Sequence, residues 1–246
     1  MQVIALKGLP LVKQGDNIGE LVVHAAEKQG LRIENGDVVV VAQSVVSKAE
    51  GNIVDLRTIK PSQQAQGLAK RLDKDPREVE VILQQSRGIV RLGHVIILRT
   101  KHGFVCANAG VDRSNVEPEH VTLLPDDPDA SAERIRSAIK RVAGADVAVI
   151  ISDTQGRPFR LGALGVAIGV AGMSPLLDLR GRRDLYGKEL KVTITSPADA
   201  LAAAAVAVMG EAGESTPAVV IKGATYKRAH GSARELVMPP ERDLFR

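Results

Sequence analysis

The sequence predicts a mixed α/β fold, of the α+β or α/β class, and three observations support that expectation. Uninterrupted β-branched runs such as Val38-Val39-Val40-Val41 and Val147-Ala148-Val149-Ile150-Ile151 read as strands buried on both faces. Segments with apolar residues at helical spacing lie between such runs, each with a capping residue ahead of it. The two patterns alternate over residues 1–246 with no evident linker, repeat or low-complexity stretch, so one unit is expected, built as a single domain or as two interleaved lobes.

Ile18, Leu21, Val22, Ala25 and Ala26 share one helical face, with Asp16 placed to cap the helix and Gly30 to end it. A strand follows over Asp37–Ala42. Helices are predicted after Ser62 and after Asp75-Pro76-Arg77-Glu78, where an N-cap aspartate, a first-turn proline and Glu78 form a capping box. Gly88 to Leu98 reads as two short strands, continued toward Asn108 before the turn at Ala109-Gly110. Val121–Leu124 is another strand. Ile135, Ala138, Ile139 and Val142 mark a helix over Ser131–Val142, ahead of a strand that ends at Ile151 and gives way to a loop from Ser152 to Arg160. Beyond the Gly162–Gly172 segment, a strand over Leu190–Thr195, a helix over Pro197–Met209 capped by Ser196, and a strand over Pro217–Ile221 precede an irregular tail.

Composition removes several function classes. With 246 residues, 44% of them hydrophobic, the chain can bury a sizeable core. Cys106 is the single cysteine, so no internal disulfide is possible, and the histidines show no zinc spacing. The N-terminus lacks a basic segment followed by an apolar one, and no run approaches the ~18 apolar residues of a membrane span. A cytoplasmic protein with no membrane partner is expected. The net charge of +4 is spread along the chain, and aromatic residues are only 2% of it, which favours a small anionic ligand over nucleic acid.

Chemistry-bearing side chains gather after regular elements. Asp153, with Thr154, Arg157 and Arg160, follows the strand at Ile151; Asp112 and Asn115 follow the turn at Gly110; Glu211 follows Gly210, a natural left-handed helix stop. If Asp112, Asp153 and Glu211 converge, they form the acidic cluster needed to hold two divalent cations against a phosphoryl group. Taken singly, each aspartate is more often a turn former or cap, and Glu211 a solvated loop residue. Arg157 and Arg160 could equally pair with Asp178 or Asp184. Gln43, Ser44 and Lys48, after the second strand, could serve a nucleotide, although no G-x-x-x-x-G-K-[ST] or G-x-G-x-x-G motif is present.

Five motifs together are more specific. Lys7-Gly8-Leu9-Pro10-Leu11-Val12, the stretch Gly36 to Gly51, His102 to Asp112 with Ser114-Asn115, Ile151-Ser152-Asp153-Thr154 with Gly156-Arg157-Pro158, and Met209-Gly210-Glu211 occur in that order, and Gly231-Ser232-Ala233-Arg234 fits as well. In these the chain resembles the coenzyme F420-0:γ-glutamyl ligase family. The resemblance implies a GTP-dependent ligase that adds L-glutamate to the phospholactyl end of coenzyme F420-0 and then further γ-linked glutamates, through an acyl phosphate. It implies nucleotide contacts from Leu9, Pro10, Leu11, Val12, Gln43, Ser44, Lys48, Asn115, Met209, Gly210, Glu211, Ala212, Gly213, Glu214, Ser215 and Thr216. Two ions, Mg²⁺ or Mn²⁺, would sit on Asp112, Asp153, Thr154 and Glu211, with K⁺ as a further candidate ion. An intertwined homodimer with an unusual mixed α/β fold is implied, and Gln155 stands where a larger apolar side chain is common. The alternatives are a ligase for another phosphorylated carboxylate acceptor, a nucleotide phosphohydrolase, or a non-catalytic nucleic-acid binder acting through Lys222, Lys227, Arg228, His230 and Arg234.

Overall fold

Val38 to Val41 are fully buried because each faces a core on one side of the sheet or the other, which is why the strand shows no polar alternation. The computed structural model that shows this describes residues 1–244. Along the chain run β1 (Gln2–Ala5), α1 (Ile18–Lys28), β2 (Val38–Ala42), α2 (Gln43–Ala49), β3 (Ile53–Asp55), α3 (Gln63–Leu72), α4 (Pro76–Gln84), β4 (Ser86–Leu92), β5 (Ile96–Thr100), β6 (Val105–Ala107), β7 (His120–Thr122), α5 (Pro128–Ala143), β8 (Ala148–Arg157), β9 (Arg160–Ala171), β10 (Leu177–Asp178), β11 (Ile194–Thr195), α6 (Pro197–Met209) and β12 (Ala218–Lys222). The fold is mixed α and β, with several separate sheets.

The main sheet has the order β1-β12-β2-β8-β9, antiparallel except for the β2–β8 pair, in which Val38 to Ala42 align with Ala148 to Ser152. Val39, Val41, Val149 and Ile151 pack with α1 and α5, while Val38, Val40, Ala148 and Ile150 pack with α6. Each such valine or isoleucine contributes about 1.5–3 kcal/mol by leaving water. A second core, with Leu56, Ala69, Val79, Ile82, Ile96, Leu98 and Val121, joins α3 and α4 to the β4-β5-β6 sheet.

A bulge in β9 decides which side chains face which helix. Ile151 aligns with Gly169 but Ser152 with Ala167, so Ile168 is the extra residue. Gly165 and Gly169, four apart, would share a face in a regular strand, yet they lie against different helices. A Cβ on Gly165 would come within 2.6 Å of the Ala202 carbonyl on α6, and one on Gly169 within 2.4 Å of the Pro128 carbonyl on α5. Asp129, in the first turn of α5, accepts from Val170 N and Ala233 N and from the Ser232 hydroxyl, so the Gly231–Arg234 motif clamps the tail onto this bulge. Gly169→Ala is therefore expected to lower stability by about 2 kcal/mol or more, because only backbone movement relieves the clash. Chemical denaturation of the purified variant measures it.

Several sequence expectations shift. Asn17, not Asp16, caps α1, accepting from Glu20 N; Asp16 accepts instead from Lys13 N. Asp75 does cap α4, but Glu78 pairs with Lys74 (3.2 Å) and Arg113 (3.3 Å) rather than closing a capping box. The stretch after the second strand that carries Gln43, Ser44 and Lys48 is helix α2, and the expected loop from Ser152 is strand through Arg157. The strand over Leu190–Thr195 shrinks to Ile194–Thr195. Arg157 donates to the Gly162 carbonyl, Asp178 pairs with Arg180, and Asp184 accepts from backbone N–H groups, so the expected bridges from Arg157 and Arg160 to these aspartates are absent among the described residues.

Candidate functional site

Strands β2 and β8 are parallel and end side by side at Ala42 and Ser152, and a cavity of about 790 Å³ opens beyond their carboxyl ends. That is where open α/β sheets place their ligands, and the volume is in the small-molecule range. Five stretches of chain wall it: Leu9, Pro10, Leu11 and Val12 between β1 and α1; Gln43, Ser44 and Lys48 on α2; Asp112 and Asn115 after β6; Asp153 and Thr154 on β8; and Met209 to Thr216 after α6. Every nucleotide or metal contact that the family resemblance implies borders this one cavity. Arg157 and Arg160, which follow Asp153 in the chain, do not line it.

The carboxylates enter in two groups. Alternation along β8 sends Asp153 and Thr154 to opposite faces. Thr154 donates its hydroxyl to Glu211 Oε1 at 2.8 Å, joining β8 to the loop that follows α6. Asp153 accepts from Gln155 Nε2 at 2.9 Å, and its carboxyl is pushed up to about 6, first by burial and further by the charges of Asp112 and Glu211, against the hydrogen bonds from Gln155 and Thr154 N. Asp112 accepts from Ser114 N and from the Ser114 hydroxyl. Among the described residues no three His, Cys, Asp or Glu side chains form a closed metal-binding group. The donors are an Asp112 and Asp153 side and a Thr154 and Glu211 side, each open toward the cavity.

Their neighbours differ in what they can offer a ligand. Lys48 donates to the Asn115 carbonyl, and burial holds its pKa below the usual lysine value despite Asp112. Gln43 is buried, with its amide donating to Ser47 Oγ at 3.2 Å and the Leu123 carbonyl at 3.0 Å, so its nitrogen serves the fold. Gly210 ends α6 at φ 75° and ψ 175°, outside the left-handed helical region expected of it. A Cβ there would meet the Glu214 side chain, whose Oε2 accepts from Ala212 N at 2.8 Å. Thr216 donates to the Met209 carbonyl at 2.6 Å, closing the loop onto the helix end.

Two contributors escaped sequence reasoning. Cys106 lines the cavity, and burial pushes its thiol up to about 12, with Asp153 adding to the rise, so it is unreactive. Ser152 also lines the cavity, with a buried hydroxyl that has no partner among the described residues. The proposed nucleic-acid face loses its first member, since Lys222 is engaged by Glu34 and Asp37 at 2.9 Å each. No helix among the described residues is long and apolar enough to cross a membrane.

Comparison with known proteins identifies the family of the chain. The F420-0:γ-glutamyl ligase family model matches residues 8–223. A protein named coenzyme F420:L-glutamate ligase from Methanothermobacter thermautotrophicus is 51% identical, covering 100% of this chain and 99% of its own. Proteins of the same name from Methanopyrus kandleri (51%, covering 96% of this chain and 93% of its own) and Archaeoglobus fulgidus (42%, covering 100% and 96%) are also similar. Matched by the family model over residues 8–223 and by these relatives over 96–100% of its length, the chain belongs to the F420-0:γ-glutamyl ligase family.

Proposed function

We propose that this protein joins L-glutamate to the phospholactyl carboxylate of coenzyme F420-0 at the expense of GTP, and then adds further glutamates through γ-linkages. The observation that carries this reading is that Asp112, Asp153, Thr154 and Glu211 all line one cavity of nucleotide size, in a chain of this family. A free carboxylate is a poor acyl donor. Its oxygen attacks the γ-phosphorus of GTP, the bond to the β–γ bridging oxygen breaks, and GDP leaves. The glutamate nitrogen then attacks the acyl carbon, phosphate departs with the bonding pair, and the amine proton passes to solvent.

The donor set fits hard divalent cations, Mg²⁺ or Mn²⁺: all are oxygens, and a desolvated Asp153 flanked by two carboxylates calls for positive charge. Asp112 with Asp153 would hold one ion and Thr154 with Glu211 the other, and the substrate phosphates would complete each shell. Ions held there would neutralise charge on the β- and γ-phosphates. Potassium is a further candidate ion. Leu9 to Val12, Asn115 and the Met209–Thr216 loop enclose the nucleotide, and the working form is an intertwined cytoplasmic homodimer.

Lys48 supplies the cation nearest this cluster on α2. Lys48→Met is expected to raise KM for GTP about tenfold, with little change in thermal midpoint, because the amine's protein partner is one backbone carbonyl. Steady-state kinetics over a GTP series checks this.

The overall reading is tested by mass spectrometry after incubation with F420-0, L-glutamate, GTP and Mn²⁺. The expected product is heavier by glutamyl units, with one GDP formed per unit. GDP release at the same rate without F420-0 would instead select a phosphohydrolase.

A further inference from the structure

Residues 81 to 111 contain no aspartate or glutamate but carry Arg87, Arg91, Arg99 and Lys101, a formal charge of +4, as large as the net charge of the whole chain. Most of this stretch is the β4-β5-β6 sheet. None of the four cations has a carboxylate partner among the described residues. Elsewhere arginines are commonly paired, as Arg57, Arg77, Arg134 and Arg136 are.

The register ties this surface to the cavity. Ile96 and Leu98 turn into the core of the lobe, so Ile97 and Arg99 face outward. Arg91 aligns with Ile97, and Ile97 with Ala107, which is exposed and lines the cavity; beside this row Arg99 aligns with Val105. With strands ~4.8 Å apart, Arg91 stands about 10 Å across the face from the cavity rim. Val90 and Val105, 39% and 37% exposed, add apolar surface beside the guanidinium groups. A forked, permanently charged donor is suited to phosphate, and an apolar margin suits the uncharged body of an extended ligand.

We propose that the outward face of β4-β5-β6 is the acceptor platform, where Arg91 and Arg99 hold the phosphate of the phospholactyl acceptor while its carboxylate reaches past Ala107 toward Asp153. This rests on the function proposed above, and it commits the face to a small phosphate-bearing carboxylate. Charge complementarity supports that occupant, since this stretch carries four cations and no carboxylate of its own to meet an anionic phosphate ester.

The test uses the full chain, F420-0 as acceptor, and the variants Arg91→Ala, Arg99→Ala, Arg99→Lys and Arg99→Glu. Arg91→Ala and Arg99→Ala are each expected to raise acceptor KM at least tenfold and leave KM for GTP within twofold. Arg99→Glu should raise acceptor KM further, and Arg99→Lys should recover part of the loss. Equilibrium dialysis of F420-0 without GTP should show the same order of weakened binding, and thermal melts should match wild type. Unchanged acceptor KM and binding in folded variants of a wild-type enzyme that ligates F420-0 would overturn the platform alone. Failure of the wild type to extend F420-0 would remove the platform together with the proposed function. Loss of binding to a short RNA, with acceptor KM unchanged, would assign the face to nucleic acid and overturn the proposal.

Discussion

Asp153→Asn should abolish ligation, by at least ~10³-fold in kcat/KM, while making the metal-free protein more stable at pH 8. The two effects have one cause. The carboxyl sits in a desolvated corner beside two other carboxylates, and it titrates near 6 instead of 3.8. In the unfolded chain the proton leaves first, so between those two values the folded state binds more protons and stability falls as pH rises. Above pH 6 the full penalty is present, about 3 kcal/mol for a shift of this size. Asparagine keeps the hydrogen-bonding oxygen without the charge, so the metal-free variant should melt about 6–12 °C higher at pH 8. At pH 3 the gain should vanish, because the wild-type carboxyl is then protonated in both the folded and the unfolded chain. Saturating Mn²⁺ should reverse the order at pH 8 by stabilising the wild type selectively. Differential scanning calorimetry at the two pH values, with and without Mn²⁺, separates these cases; equal midpoints at pH 8 would deny that Asp153 is a strained buried anion.

Glu211→Gln has the second-largest expected effect, a loss of about 10²–10³-fold in kcat/KM, and it should share that loss with Thr154→Val. Glu211 and Thr154 meet at 2.8 Å across the gap between β8 and the loop after α6, and the proposed metal arrangement puts one ion on the pair. Groups that act as a unit lose function once, so the double variant should be little worse than Glu211→Gln alone. Raising Mn²⁺ should recover part of the activity of Glu211→Gln and none of that of Asp153→Asn. Full additivity of the two losses would separate Thr154 from Glu211 and leave the second ion without its pair.

Long, consistent signals were legible in the sequence. Helix α6 runs Pro197–Met209 between Ser196 and Gly210, as its cap, first-turn proline and glycine stop indicated, and β2 follows its valine run. Helix α2 was not legible: it is seven residues long, begins directly from β2 at Ala42, and Ala42 offers no capping side chain. The polar half of β8 read as a loop because Ser152 to Arg157 lack apolar partners. They remain strand because β9 continues to pair with them as far as Arg157–Arg160. The residues of the site were selected from motifs, but the split of Asp153 and Thr154 to opposite faces followed only once that segment was strand. The bulge at Ile168, which sets Gly165 and Gly169 against different helices, has no signature in sequence spacing, since it is defined by the partner strand.

The most direct measurement is an anomalous difference map from a crystal grown with Mn²⁺ and a non-hydrolysable GTP analogue. Two peaks are expected, one between the carboxylates of Asp112 and Asp153 and one beside Thr154 and Glu211, with the β- and γ-phosphates bridging them inside the cavity. A nucleotide bound elsewhere, or manganese peaks distant from all four side chains, would contradict the shared site.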